Sequence, residues 1–444
     1  MVVWSHYLSI HIHVTWNLFR EMDSMSAKEM INTANEKAME IMFTSQPKWV
    51  DVQPALKVIP GMKKNLILHA GPPITWERMC SAQKNGVAGA AVFEGLADSV
   101  PDAMKKLATG QIEIDACNNH NTVGSMTGIT SASMPVMVVK NFPYGNYSYI
   151  NVHEGPSRTR LTYGAYNETV HKNLIWLRDV LGPALEYAVK RMEGLEIIPI
   201  IARSLTMGDE CHNRPTAGSA LFALAVLPYI VESDLEKSEI AKIARFLQAT
   251  EHFFFHLGMA AGKAATDAMS GTEFSTIVTC MARNGTEVGL RIAGLGSEWF
   301  IGPAAEIEGV YFTGYGPEDA EADIGDSAIM EVYGLGGFAM GASIPMAYAL
   351  GGMASDAIRY MESMVDITTA RHAAFKVPAL DFKGTPVGID IRKVVQTGVL
   401  PIIDTAIAHK DGGEIGVGIA RPPMECFVKS LEAISNKIKT AVSQ

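Results

Sequence analysis

The sequence predicts a multi-domain chain of mixed structure, part α+β and part α/β, and three observations carry that expectation. Its 444 residues are 48% hydrophobic and 19% charged, enough apolar mass for two or three cores and too much for a disordered chain. Short apolar runs bounded by Gly and Pro alternate with helix-period stretches in the first and last thirds. The middle third carries helical periodicity almost throughout. The division expected is an N-terminal α/β domain over 25–160, a helix-rich domain over 161–274 and a C-terminal mixed α/β domain over 275–444.

Residues 1–24 are apolar but interrupted by His6, His11 and His13, with neither a basic start nor a small-residue cleavage site, so they read as a disordered or helical leader. Ser26 to Glu29 has the spacing of a capping box, which opens the first helix near residue 25. From Lys64 to Gly95 an apolar run, a Gly-Pro-Pro turn, a helix-compatible stretch from Thr75 and a second apolar run (Val87 to Phe93) read as a βαβ unit. Met134 to Val139 and Ser148 to Val152 read as strands, as does Ile197 to Ala202. Helical spacing marks Asn167 to Arg191, Ala217 to Val231 and two helices within Ser238 to Met269. Strands are expected again at Ser275 to Ala282, Val288 to Ala293, Val310 to Thr313, Val387 to Val395 and Ile402 to Ala408, with helices near 353–374 and 423–440. Tyr333 to Ala354 is nearly uncharged, but Pro345 and six glycines favour a buried, loop-interrupted segment over a membrane span.

A formal charge of -10 and the absence of any Lys/Arg run argue against nucleic acid or an anionic membrane as partner, and for a small ligand. Five scattered cysteines without CxxC spacing fit a reducing compartment, hence the cytoplasm. A homodimer is the default for an isolated chain of this size. Gly412 to Gly418 is glycine-rich but lacks the strand and helix of a dinucleotide fingerprint, and no Walker lysine or Gly-x-Ser-x-Gly motif is present. Ser157 to Arg160 looks like the carbamoyl-phosphate loop of classical transcarbamylases, yet it lacks that family's preceding Thr and distant His-Pro motif.

Four segments concentrate polar groups that are costly to bury unless paired or used. In the first, His69 closes a strand and a turn leads toward a helix start that offers free N–H groups to an anion, with Glu77 and Arg78 beside it. In the second, Asn118, Asn119, His120 and Asn121 form a set of neutral donors and acceptors suited to an amide or carboxylate, although Asn-rich turns also serve folding alone. The third, Asp209-Glu-Cys-His-Asn-Arg214, is the densest. Asp209, Glu210 or His212 could do acid/base work there, with Asn213 and Arg214 binding an anion. Metal ligation is the least favoured role, and no cofactor is required by the sequence. In the fourth, His252 and His256 share a helix face but lack a third ligand and read as core histidines, whereas Arg283-Asn284 before Gly285 suits a ligand carboxylate or phosphate. The expected arrangement brings His69, the 118–121 loop and the 209–214 string around one cavity.

The strings HAGPPITWERMC (69–80), CNNHNTVGSMTGI (117–129), MGDECHNR (207–214) and EHFF (251–254) resemble the YlbE/YahG-like family, in order, from about residue 30 to the C-terminus. The resemblance implies the large subunit of an oxamate carbamoyltransferase. It would work beside an FdrA-type subunit and a third small subunit in purine and allantoin breakdown. Carbamoyl transfer between oxalurate and phosphate needs fixed donors for a tetrahedral oxyanion, cations for the anionic groups and an acid/base for the amide nitrogen. Arg78, Arg214 and Arg283 are the candidate cations, with His212 or Asp209, then His120, as acid/base. A hydrolase of an amide or heterocycle, a CoA- or nucleotide-binding module and a non-catalytic scaffold remain as rival readings.

Overall fold

A computed structural model describes residues 25–349 and 352–442, and the leader 1–24 lies outside them. The helix Met25–Thr44 opens the described chain, burying Ala27, Ile31, Ala38 and Met42. It feeds β1 (Pro47–Pro54). Then come β2 (Leu66–His69) and β3 (Glu113–Ala116), which pair in parallel, and β4 (Pro135–Asn141), β5 (Tyr147–Asn151) and the short β6 (Leu195–Glu196). Strands β5-β4-β1-β6, in that order, form an antiparallel sheet.

The βαβ unit exists, but its return strand is β3. Val87 to Phe93, expected as a strand, is the second half of the helix Ser81–Phe93. Nine of that helix's thirteen residues are buried, so it has no polar face to give an amphipathic signature. Its glycines permit close packing: a Cβ on Gly89 would lie 2.7 Å from the Tyr166 ring. Ile197 to Ala202 likewise falls largely in a helix, Ile198–Thr206, whose Pro199 occupies a first-turn position that needs no N–H.

The helical layer follows the expected segments: Glu168–Trp176 runs through a π turn (Leu177–Leu181) into Gly182–Arg191, followed by Thr216–Val231, Lys237–Ala249 and Phe253–Asp267. The last of these is buried at every residue but its final one. It packs against β4 and β5 and also against β7 (Val278–Asn284), so it lies between two sheets.

The second sheet joins β7 to β8 (Glu287–Ile292) and β9 (Phe300–Pro303) on one side. After β10 (Glu308–Tyr311), the short β11 (Ile324–Gly325) closes its other edge. Every residue of β7 and β8 is buried. Strands β12 (Thr368–Val377) and β13 (Lys383–Ile389) form a separate ribbon, and β14 (Ile403–Ala408) and β15 (Glu414–Ala420) join β10 in the order β10-β15-β14. The C-terminal helix Met424–Val442 packs on β8 and β9.

Two boundaries differ from expectation. The helix after Met353 stops at Ser363 and β12 takes over, while Val387 to Val395 splits where Asp390 accepts the Arg392 N–H (2.9 Å) and starts the helix Ile391–Thr397. From Gly334 to Ser343 the glycine-rich stretch is a largely buried chain of tight turns, followed by the helix Ile344–Ala349, and no helix among the described residues is long and apolar enough to cross a membrane. Gly412 sits in the turn between β14 and β15, with β15 rather than a helix after it, which removes the fingerprint reading.

Candidate active site

A cavity of about 90 Å³ lies where segments from all three parts of the chain converge at the N-terminal end of the buried helix Phe253–Asp267. At the roughly 30 Å³ that a water occupies in the liquid this is room for about three waters, so the site suits a small ligand only.

The loop after β3 supplies Ser125 and Met126. Asp326 accepts the N–H groups of Gly71 (2.8 Å) and Gly124 (3.0 Å), tying the turn after β2 to this loop. Burial pushes the Asp326 carboxyl up to about 6. The loop closes on itself through Gly128 N–H to Ser125 O (2.9 Å), and Gly128, at φ +68°, lies so close to Ala70 that a Cβ would come within 2.5 Å of its nitrogen. Ser125 Oγ meets His256 Nε2 at 3.0 Å, and His256 Nδ1 meets the Asn151 carbonyl at 2.8 Å.

The 207–214 loop supplies His212 and Asn213. His212 Nδ1 donates to Glu331 Oε1 at 2.7 Å, its ring stacks on Phe255 (5.2 Å, 15°), and Nε2 is left for the cavity. Glu210 accepts the backbone N–H groups of His212 and Arg214, which fixes the loop around the imidazole. Asp404 lies behind this pair, and neither of its oxygens has a partner among the described residues. Three buried carboxyls thus lie together behind the imidazole. Burial raises Glu210 to about 7, and burial with the neighbouring Glu210 and Glu331 raises Asp404 well above the ordinary carboxylate value.

The cavity's cation is Arg160. It donates to Gly155 O (2.7 Å), contacts His153 (3.2 Å) and stands over the Tyr163 ring, while Glu414 at 3.9 Å is beyond hydrogen-bond reach. Its Nε has no partner among the described residues. Burial lowers His153 well below its usual value and also lowers His252, which hydrogen-bonds Asn213 O at 2.9 Å. Arg160 is therefore the group that brings positive charge to the cavity wall.

The other sequence candidates are distributed differently. Asp209 and Arg214 hold the loop rather than the cavity: Asp209 accepts the Gly218 N–H (2.8 Å) at the start of the next helix and pairs with Arg214 (3.2 Å), which also donates to Gly208 O (2.6 Å). Arg283 is fully buried, with its guanidinium spent on Asp323 (2.8 and 3.1 Å) and Gly325 O (2.6 Å), and Asn284 caps its own turn through the Thr286 and Glu287 N–H groups. Arg78 is a surface residue paired with Glu287 at 2.6 Å, and Glu77 is exposed beside it. His69 is buried inside β2, with Nδ1 on Ala70 O (2.8 Å). His120 is held between Asp115 (2.9 Å) and Pro60 O (2.6 Å). Asn118, Asn119 and Asn121 line a second, wider cavity of about 470 Å³ together with Arg291, which donates to Asn118 O (3.3 Å) and Asn119 Oδ1 (2.8 Å). The single shared cavity expected for His69, 118–121 and 209–214 is therefore divided. Of those strings only His212 and Asn213 reach the smaller cavity, and the amide loop reaches it through Ser125 and Met126.

Ser125, Arg160, Glu331 and Asp404 were missed as site residues. The usable signal was a lone carboxylate in an apolar run, Ile-Met-Glu331-Val and Ile-Ile-Asp404-Thr, which is costly to bury without a purpose.

Fold and cavity together define a multi-domain α+β protein with a small polar site organised around one arginine and a carboxylate–imidazole pair. Comparison with known proteins gives the family. The family model described as "Oxamate carbamoyltransferase subunit AllG" matches residues 112–327. The chain is 42% identical to the oxamate carbamoyltransferase subunit AllG of Escherichia coli K12, over 91% of this chain and 98% of that one. It is 45% identical to the uncharacterized protein YahG of the same organism, over 91% of this chain and 86% of that one. It also superposes on the crystal structure of a conserved protein of unknown function from Enterococcus faecalis V583 with a TM-score of 0.91 and 44% identity, covering 94% and 99% of the two chains. The chain belongs to the AllG family of oxamate carbamoyltransferase subunits, as a YahG-like member.

Proposed function

We propose that this chain is the substrate-holding and catalytic subunit of a carbamoyltransferase, moving the carbamoyl group between oxalurate and phosphate. In this reading it works in the cytoplasm with an FdrA-type subunit and a third small subunit, in purine and allantoin breakdown. The observation that carries the reading is the pairing, on one small cavity, of the Arg160 guanidinium with the Glu331–His212 pair. Arg160, itself buried, matches the planar carboxylate of oxamate or a phosphate oxygen. The Glu331 contact at Nδ1 orients the His212 ring so that Nε2 is the atom that gives or takes a proton. In the direction that releases oxamate, the leaving nitrogen needs that proton as its bond to carbon breaks, and phosphate needs to lose one as it attacks. Glu210 holds the loop that carries the imidazole, and Asn213 lines the wall beside it.

The test is co-expression with the two partner subunits and an assay for carbamoyl phosphate formed from oxalurate and phosphate. Formation by the wild type, with loss of a hundredfold or more (about 10²–10⁴, the usual worth of an acid/base) in an assembled His212→Gln enzyme, is the expected result. Full activity of that variant would reject the assignment.

A further inference from the structure

We propose that Ser125 carries the carbamoyl group covalently, as a carbamate ester on Oγ, between the donor and the acceptor; the proposal rests on the carbamoyl-transfer reading above. Three observations lead to it.

The first is hydrogen-bond direction. His256 Nδ1 faces a backbone carbonyl, Asn151 O at 2.8 Å, which can only accept, so Nδ1 bears the hydrogen and Nε2 is a bare acceptor. The 3.0 Å contact to Nε2 is therefore made by the Ser125 hydroxyl as donor. A hydroxyl donating to an imidazole that a third group orients is the arrangement that activates a serine nucleophile, with the carbonyl standing where a carboxylate often does.

The second is the backbone. Ser125 and Met126 are buried, and Met126 is held at φ +49° in the left-handed region, which a side-chain-bearing residue adopts only when its surroundings enforce it. Among the described residues, the N–H groups of Ser125 and Met126 meet no acceptor. Buried N–H groups without partners are rare, and two in succession beside a hydroxyl form a ready place for an oxyanion.

The third is rigidity and position. A Cβ on Gly124 would lie 2.3 Å from Gly128 Cα, and Asp326 pins the Gly124 N–H, so the turn that presents Ser125 has little room to relax. It faces the same cavity as Arg160 and His212.

The two half-reactions balance. In the first, Oγ bonds to the carbamoyl carbon of oxalurate, the Oγ proton passes to His256 Nε2, the carbon–nitrogen bond breaks, and the oxamate nitrogen takes a proton from His212. In the second, a phosphate oxygen bonds to the carbamoyl carbon and gives its proton to His212, the Oγ–carbon bond breaks, and Oγ recovers its proton from His256. The sum is oxalurate and hydrogen phosphate giving oxamate and carbamoyl phosphate, with both histidines restored.

A covalent route permits exchange of labelled oxamate into oxalurate with no phosphate present, which a direct transfer within a ternary complex forbids. The assembled enzyme should show that exchange, and mass spectrometry of enzyme incubated with oxalurate alone should place a carbamoyl group on the peptide containing Ser125. Ser125→Ala should lose exchange and overall transfer by about a thousandfold or more, while still binding oxamate in a thermal-shift measurement, which shows that it is folded. Overall transfer without exchange, or a Ser125→Ala enzyme with full transfer, would overturn the covalent step and leave the carbamoyltransferase reading intact. No carbamoyl phosphate from the wild type would reject that reading, and this inference with it.

Discussion

Replacing Asp404 by Asn should stabilise the protein, and the gain should grow with pH. Asp404 is fully buried, neither of its oxygens has a partner among the described residues, and Glu210 and Glu331 are its charged neighbours. Burial and those like charges raise its carboxyl well above the ordinary value of 3.8, which favours the protonated form. In the unfolded chain the same group ionises freely. Each pH unit over which the folded state keeps a proton that the unfolded chain has released costs about 1.4 kcal/mol. The folded state binds the extra proton, so stability is complete below the unfolded value and declines as pH rises above it. Asn needs no proton, and its amide can donate to a neighbouring carboxylate. The expected gain is on the order of 1 kcal/mol for each pH unit above the ordinary carboxylate range, vanishing toward pH 4. Urea unfolding of both proteins at pH 5 and pH 8 measures it. A variant less stable than the wild type at pH 8, or a difference that ignores pH, would refute the reasoning.

Three further outcomes follow from named contacts. Gly336→Ala should destabilise by about 1–3 kcal/mol in thermal melts and lower transfer activity, because φ is +57° and the new Cβ would lie 2.0 Å from Glu331 Oε1 and 3.0 Å from His212 Nδ1. Arg160→Lys should keep the charge but lose the planar fork, and steady-state kinetics should show the KM for the anionic substrate raised by about tenfold, with Arg160→Ala worse still. Arg78→Ala should leave transfer rates unchanged and cost no more than about 1 kcal/mol in unfolding experiments, since its bridge to Glu287 is at the surface with the arginine side chain 58% exposed.

The helices Gly182–Arg191 and Lys237–Ala249 were legible because each shows an apolar side and a polar side, whereas Ser81–Phe93, buried nearly all round, resembled a strand from its apolar run alone. The beginnings of β12 and of the helix at Ile391 were hidden for another reason: Ile367 and Asp390 bring separate elements together through a backbone hydrogen bond (2.9 Å), a long-range pairing that no local window contains. In the site, density of polar residues identified the 209–214 loop but not the division of labour inside it. Asp209, Glu210 and Arg214 build the scaffold that presents His212, and only the folded loop distinguishes a scaffold carboxylate from a reacting group. Arg283 shows the opposite error: a buried arginine at a strand end looks like a ligand contact until Asp323, Gly325 and Ser327 account for its donors. Arg160 lay in a string whose partial likeness to another phosphate-binding loop argued against it, although its place beside His153 was set by β5 and the turn that follows.

The central claim is that the small cavity beside Arg160 and His212, and not the wider one at Asn118 and Arg291, holds the reacting anion. A crystal structure of the assembled enzyme soaked with oxamate tests it most directly. Oxamate with its carboxylate on the Arg160 guanidinium and its amide nitrogen within reach of His212 Nε2 is the predicted result. Oxamate bound at Arg291, or only on a partner subunit, would contradict it.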